Sequence, residues 1–439
     1  MKDKSIAAIT FGCKVNQYET SCILDEFVQD GYKIVDFNKT ADVYIINSCT
    51  VTNRTDSKSR NAVRKALQQK ETKPNTKVVI TGCYSQRNKE AILELGPVDL
   101  IADNNEKSKI YQYIKETDFP DFEKQEDLVD QLEFDELFTT QMIDHSRAFI
   151  KVQDGCDYYC AYCAIPFARG TSRSRKPEKV LEQIKALVDQ DYHEFVLGGI
   201  NLGLYGKDKE EDYFLSELLT DIEKIDGVEL IRLSSIEPQL FTPDLLEYFR
   251  NSFKICPHFH IPLQVGCDEL LSAMGRKYSI SEFALTIQNL KTIFPDAAFG
   301  IDVIVGLPGE SDELFQKTLN FLNKLDFTYL HVFSYSRRSG TKAAKMPNQI
   351  NGAVIKSRNN KLTELSKLKT ENYIENILSS KTELRGIIEH KQSEYWTALS
   401  DHFVRIYLES NKQLEKKYLH FQPKSKRLDG IEVEVVNIK

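Results

Sequence analysis

The chain has 439 residues, 41% of them hydrophobic and 28% charged, with a formal net charge of −7. This length allows roughly two to four domains. The composition reads as globular rather than disordered, and the longest apolar stretches are strand-length, far short of the roughly 18 residues that suggest a membrane span. A net negative charge does not advertise a nucleic-acid binder, although the charge is uneven. Eight acidic residues and one basic, Lys124, lie between Asp121 and Glu136, and six basic residues and one acidic, Glu415, lie between Lys412 and Arg427. The first block reads as a linker. The second is a candidate RNA-facing strip or an ordinary exposed hairpin.

The N-terminal apolar run is too short for a signal peptide, so the chain opens directly on a strand and is expected to be cytoplasmic. Residues 1–120 alternate strands (Ser5–Thr10, Val43–Asn47, Val78–Thr81, Val98–Ile101) with helical patterns (Glu19–Asp30, Asp56–Gln69, Gln86–Leu95). That rhythm predicts an open parallel sheet flanked by helices. Cys13, Cys49 and Cys83 each follow one of these strands. In a parallel sheet the loops beyond the carboxyl ends share one edge, where ligands gather. Three cysteines far apart in sequence can therefore meet there and hold an iron–sulfur cluster. The bland reading is three unrelated half-buried thiols. Gly12 and Gly82 would allow tight turns beside two of them.

After the acidic linker, placed at 121–144, comes Cys156-Asp-Tyr-Tyr-Cys160-Ala-Tyr-Cys163. Three thiolates without a nearby fourth suit a cubane with one open iron. A zinc knuckle would want a fourth Cys or His close by, and none follows until His193. Strands at Arg147–Gln153, Glu194–Gly198, Glu229–Ser234, His258–Leu263, Ala298–Val305 and Tyr329–Tyr335, with helices between them, predict a partial β/α barrel over 145–371. Its active site should lie at the carboxyl ends of the strands. Arg169, Arg173, Arg175 and Lys176 follow the cysteine run and could bind substrate phosphates or form a solvated helix entry. Residues 372–439 change to short strands (Leu384–Glu389, Tyr395–Ser400, Val404–Leu408, Ile431–Val436), which predicts a small β-barrel. Cys22, Cys256 and Cys267 are expected to be core residues.

These stretches together resemble the radical S-adenosylmethionine (SAM) methylthiotransferases over nearly the full chain. The resemblance rests on Gly12-Cys-Lys-Val-Asn-Gln-Tyr-Glu-Thr20, Asn47-Ser-Cys-Thr-Val-Thr52, Thr81-Gly-Cys-Tyr84 and Gln153-Asp-Gly-Cys-Asp-Tyr-Tyr-Cys-Ala-Tyr-Cys163 with Ile165-Pro-Phe-Ala-Arg-Gly170. It continues in Ser234-Ser-Ile-Glu-Pro238, Pro262-Leu-Gln264, Asp302-Val-Ile-Val-Gly-Leu-Pro-Gly-Glu310, Phe333-Ser-Tyr-Ser336, Arg338 and Gly340-Thr341. The opening motif is most similar to the branch acting on N6-threonylcarbamoyladenosine at tRNA position 37.

The resemblance implies an N-terminal methylthiotransferase domain, a radical SAM barrel and a C-terminal TRAM domain. It implies two [4Fe–4S] clusters, with Cys156, Cys160 and Cys163 at the one that binds SAM and Cys13, Cys49 and Cys83 at an auxiliary one. One SAM would donate a methyl group and a second would yield the radical that activates C2 of the adenine. Tyr162, Gly198, Gly199, Ser235, Glu237, Gln264, Gly306 and Glu310 match positions around the SAM pocket. A tRNA anticodon loop, a sulfur source and an electron donor such as a flavodoxin or ferredoxin are the implied partners, with no membrane. Isopentenyladenosine in tRNA, an aspartate on a ribosomal protein, or a non-catalytic metal-binding RNA module are the alternatives. The chain departs from the family at Thr397-Ala-Leu-Ser-Asp-His-Phe403, where the TRAM glycine-threonine-asparagine-tyrosine stretch is absent.

Overall fold

A computed structural model describes residues 4–117, 133–142 and 146–438. The chain divides into two compact units. The first gathers the N-terminal residues with 153–175 and 336–344; the second holds 144–152, 176–335 and 345–439.

The first unit is built on a parallel sheet of β1 (Ser5–Thr10), β2 (Lys33–Ile34), β3 (Val43–Ser48), β4 (Lys77–Gly82) and β5 (Leu100–Ile101), in the order β2-β1-β3-β4-β5. Every residue of β3 is buried, as a central strand covered on both faces requires. Ala62, Val63 and Ala66 of the helix Asn53–Thr72 pack on one face, and Ile23, Leu24 and Phe27 of the helix Lys14–Gln29 on the other. Thr52 starts the former with a reciprocal capping arrangement to Thr55. The short strand β2 is an addition to the expected pattern. The helix expected over Gln86–Leu95 is instead two short ones, Cys83–Arg87 and Lys89–Leu93.

Much of the expected acidic linker lies outside the described residues. The part that is described does not behave as a linker. Leu137, Thr139 and Met142 are buried, and Asp135 accepts from the backbone N–H of Lys107 at 3.1 Å.

In the second unit β6 (Ala148–Lys151) leads into the cysteine loop. That loop is framed by a two-residue antiparallel ribbon, β7 (Gln153–Asp154) with β8 (Arg173–Ser174), which belongs to the first unit. The barrel strands follow as β9 (Glu194–Gly198), β10 (Leu230–Leu233), β11 (His258–Gln264), β12 (Ala298–Val305) and β13 (Tyr329–Ser334). They form two three-stranded parallel sheets, β10-β9-β6 and β11-β12-β13, joined by a bridge between Ile231 and Ile255. The result is the expected partial barrel.

A closed barrel ends the chain: β14 (Leu384–Gln392), β15 (Tyr395–Ser400), β16 (Arg405–Glu409), β17 (Tyr418–Arg427) and β18 (Gly430–Ile438), ordered β14-β15-β16-β18-β17. Two expectations change here. The boundary placed at 371/372 falls inside a helix, Gly352–Ser380, that runs on and buries Ile374 and Ile377 in the small barrel's core. The basic strip is largely β17, whose alternation was masked by Lys424, Lys426 and Arg427 on its polar end.

The departing segment Thr397–Phe403 packs against the floor of the larger barrel. Phe403 stacks on His258 with ring centroids 4.0 Å apart. Arg232 donates to the carbonyls of Ser400 (2.9 Å) and Asp401 (3.3 Å) as well as to Glu194 (2.8 Å).

Candidate metal and cofactor site

Parallel register places Thr10, Asn47 and Thr81 side by side at the carboxyl edge of the first sheet. The chain then turns into Cys13, Cys49 and Cys83. Gly12 has φ +99°, and a Cβ there would lie 2.8 Å from the Cys49 sulfur. Gly82 has φ +100°, with Ser48 O 2.3 Å from where its Cβ would be. Both positions therefore demand glycine. Asn16 stitches the loops together, its amide donating to Phe11 O (2.9 Å) and Ser48 O (3.0 Å). Burial pushes the Cys49 thiol up to about 12, and the neighbouring Cys83 and Cys13 sulfurs add to it. Without metal, then, the Cys49 thiol resists ionisation, and a bound cation would offset that cost.

The second group forms on the loop between β7 and β8. Gly155 (φ +72°) turns where a Cβ would strike Thr171 O at 1.8 Å. Gln153 fastens the loop through Asp154 O, Gly155 O and Ser172 Oγ, all within 2.9 Å. The Ile165 N–H points at the Cys163 sulfur, 3.4 Å away. Tyr162 is half-buried between Cys160 and Cys163. Arg87, half-buried, lies within electrostatic reach of both Cys163 and Cys83. All six cysteines thus belong to the first unit, although the sequence pattern assigned three of them to the barrel. Three thiols that act on one another at the sheet edge, and three more on one loop with an N–H aimed at the Cys163 sulfur, are donor sets that fit iron–sulfur clusters.

Arg338 of the segment 336–344 completes the environment of Cys49, donating to Thr50 Oγ1 (2.7 Å) and Asn53 Oδ1 (2.7 Å) and pairing with Asp56.

The basic run does not form a phosphate-binding surface. Arg169, Arg173 and Arg175 are buried. Arg169 pairs with Glu19 (3.0 Å) and Asp154 (2.9 Å), Arg173 donates to Asn105 (3.0 Å) and to Arg169 O (2.8 Å), and Arg175 pairs with Glu136 (2.8 Å). Only Lys176 is exposed. The charge run resembled a solvated face because its acidic partners are distant in sequence.

Residues expected around the SAM pocket fall in the second unit, apart from Tyr162. Gly198 ends β9 where a Cβ would overlap the Phe149 ring (2.0 Å), so its neighbour in β6 accounts for the glycine. Gly199 follows, half-buried. Gln264 ends β11 with φ +67°, a conformation that costs a non-glycine residue of order 1–3 kcal/mol and clusters at functional sites. Gly306 has φ +84° and accommodates Ile355. Glu237 is engaged in an ion pair with Arg276. Glu310 is buried, accepting from Gly306 N (2.6 Å) and Arg358 (2.7 Å), and so clamps the turn after β12.

A chain of polar residues that the sequence reading did not assemble crosses the inner face of the barrel. Ser235 meets His260 Nδ1. Asp302 Oδ1 accepts from His260 Nε2 (2.9 Å) and His331 Nδ1 (3.3 Å). Burial alone would raise the Asp302 carboxyl, but these imidazoles hold it at about 2. The signal was present in the alternation of β11–β13, where His260, Asp302 and His331 all occupy the face turned from the helices.

Family models match in two places: an "Uncharacterized protein family UPF0004" over residues 5–103 and the Radical SAM superfamily over residues 150–322. Among curated proteins the chain is 38% identical to the threonylcarbamoyladenosine tRNA methylthiotransferase MtaB of Bacillus subtilis, covering 92% of this chain and 90% of the relative. It is 36% identical to the MtaB of Aquifex aeolicus, covering 94% and 98%. The tRNA-2-methylthio-N(6)-dimethylallyladenosine synthase of Natranaerobius thermophilus is 32% identical, with 82% and 80% covered. Among solved structures, the radical SAM methyltransferase TsrM from Kitasatospora setae superposes with TM-score 0.57 at 14% identity, covering 78% of this chain and 77% of that one. That last likeness speaks for the fold alone. No helix among the described residues is long and apolar enough to cross a membrane.

Proposed function

This chain belongs to the radical SAM tRNA methylthiotransferase family, and we propose that it transfers a methylthio group to C2 of N6-threonylcarbamoyladenosine at position 37 of tRNA. The observation that carries the reading is the assembly of six cysteines, in two sets of three, within one compact unit. Relatives named for the threonylcarbamoyl substrate, at 36–38% identity, support the choice of nucleoside.

Cys156, Cys160 and Cys163 would hold the [4Fe–4S] cluster that binds SAM, and Cys13, Cys49 and Cys83 the auxiliary one. When bound, SAM and the clusters supply the carbon radical and the methylthio sulfur that the reaction needs. The protein's own part is placement. Gly12 and Gly82 bring the sheet-edge thiols together, Gln153 and Gly155 fix the second loop, and Gln264 holds a strained backbone at a strand end of the barrel. The base must be unstacked to be reached, as single-stranded loop bases can be. An anticodon loop, a sulfur source, a small flavin or iron–sulfur protein as electron donor, and the cytoplasm complete the proposal.

The test is anaerobic reconstitution with SAM, reductant and tRNA carrying threonylcarbamoyladenosine, followed by nucleoside mass spectrometry. The methylthio product should appear, and Cys49→Ala should abolish it while SAM cleavage persists. SAM cleavage without product on this tRNA, but with product on dimethylallyladenosine tRNA, would move the chain to the other branch. Absence of SAM cleavage would refute the enzyme reading.

A further inference from the structure

Arg169 is a buried cation of the first unit with six donor contacts, and charge neutralisation alone does not account for its placement. Its side chain is fully buried. Nη1 donates to Glu19 Oε1 (3.0 Å) and to both oxygens of Asp154 (2.9 Å each). Nη2 donates to Asn16 Oδ1 (2.6 Å) and Glu19 Oε2 (3.1 Å). The remaining nitrogen, Nε, points at the Cys83 sulfur, 3.3 Å away. A guanidinium is a planar fork with fixed donor directions, so the five oxygen contacts leave Nε no freedom to aim elsewhere.

Its partners flank both cysteine groups. Asn16 accepts from the Cys13 thiol at 3.8 Å, Asp154 lies two positions before Cys156, and Arg169 itself comes six positions after Cys163. Glu19 pairs with both Arg169 and Lys107, and Asp154 pairs with Arg169, so the oxygens of these carboxylates take up the Nη donors of Arg169 and leave only Nε for the sulfur. A ligating Cys83 sulfur would receive the Nε–H aimed at it. An N–H donated to a ligating sulfur draws electron density from the metal and favours the reduced state of a cluster.

Resting on the cysteine assignment under Proposed function, we propose that Arg169 is a positioning residue for the auxiliary cluster. Through Nε–H it orients the Cys83 sulfur and raises the cluster's reduction potential. The same guanidinium ties the loop bearing Cys156–Cys163 to the sheet edge bearing Cys13 and Cys83, all within the first unit. Lysine could replace the charge but could not address Glu19, Asp154, Asn16 and the sulfur at once.

The experiment uses the full-length chain with Cys156, Cys160 and Cys163 changed to alanine, so that a single cluster can assemble. Iron and sulfide are counted, and the midpoint potential is read by redox titration followed by electron paramagnetic resonance. Arg169→Lys and Arg169→Gln are compared with Arg173→Gln, a change of equal burial that does not touch the sulfur. The expected result is a more negative midpoint and an altered spectrum for both Arg169 variants, with Arg173→Gln at the parent value. Loss of cluster loading in the Arg169 variants while Arg173→Gln loads normally also supports the proposal. A parent midpoint in Arg169→Lys and Arg169→Gln overturns it, as does equal damage from Arg173→Gln. If the parent with Arg169 intact holds no [4Fe–4S] cluster, the cysteine assignment itself falls and takes the proposal with it.

Discussion

Removing Arg232 should release the small C-terminal barrel from the floor of the larger one. Arg232 is 4% exposed and Glu194, its partner at 2.8 Å, is fully buried. Burial works against the Arg232 charge, but Cys256 and then Glu194 favour it, and it stays firmly protonated. Arg232→Met leaves the Glu194 carboxylate uncompensated, which costs about 3–5 kcal/mol for a buried pair broken from one side. The Ser400 carbonyl also loses a donor at 2.9 Å, for about 1 kcal/mol more. The assay is urea unfolding followed by fluorescence of Trp396, the single tryptophan, which is 4% exposed in the core of the small barrel. The Trp396 transition should move to markedly lower urea. Because most of the loss is an unpaired carboxylate, Arg232→Met with Glu194→Gln should recover about half or more of it. A single variant that leaves the Trp396 midpoint in place, or a double variant no better than the single, would refute this reasoning.

Gly12→Ala should abolish loading of the auxiliary cluster, because its Cβ would sit 2.7 Å from the Cys49 Cβ at a φ of +99°; iron per chain should fall by about half, with the cluster on Cys156–Cys163 retained. Asp302 has a folded pKa of about 2, below the roughly 3.9 of an unfolded aspartate. It therefore contributes stability above about pH 4 that disappears as pH falls toward 2. The stability gap between the parent and Asp302→Asn should close over that interval in acid-titrated urea unfolding. Glu26 shows the opposite sign: burial, then Asp135 and Asp25, raise it to about 7. Its contribution is lost as pH rises from about 4 to 7. Glu26→Gln should raise the melting temperature at pH 8 and leave it nearly unchanged at pH 4.

The elements with strong local patterns were legible in the sequence. β1, β9, β12 and β15 occupy the expected residues, because buried parallel strands read as apolar runs and barrel strands alternate. The three strand-then-cysteine placements also held, since the carboxyl edge of a parallel sheet is a topological consequence of the βαβ rhythm. What failed depended on partners far away in sequence. Arg169 looked like a surface cation, and only the fold reveals Glu19, 150 positions earlier, as its counter-ion. The glycine of β9 suggested a cofactor contact, and the fold adds a second demand for glycine there, the Phe149 ring. The end of the barrel was put at 371, whereas a single helix continues to Ser380, with no glycine or proline after Gly352 to mark a boundary.

The floor contact has a consequence for anything the small barrel binds. A domain on a loose tether would search for a site within its reach, and its position would say little about which nucleotide is modified. Here the small barrel is riveted by Arg232, by Arg385 (which donates to the carbonyls of Phe253 and Ile255), by the Phe403 stack and by a helix that enters both cores. Its exposed lysines, Lys424 and Lys426 among them, are therefore at a fixed distance from the inner face lined by His260 and His331. A ligand bound at those lysines would be held at a set distance from that face rather than merely captured.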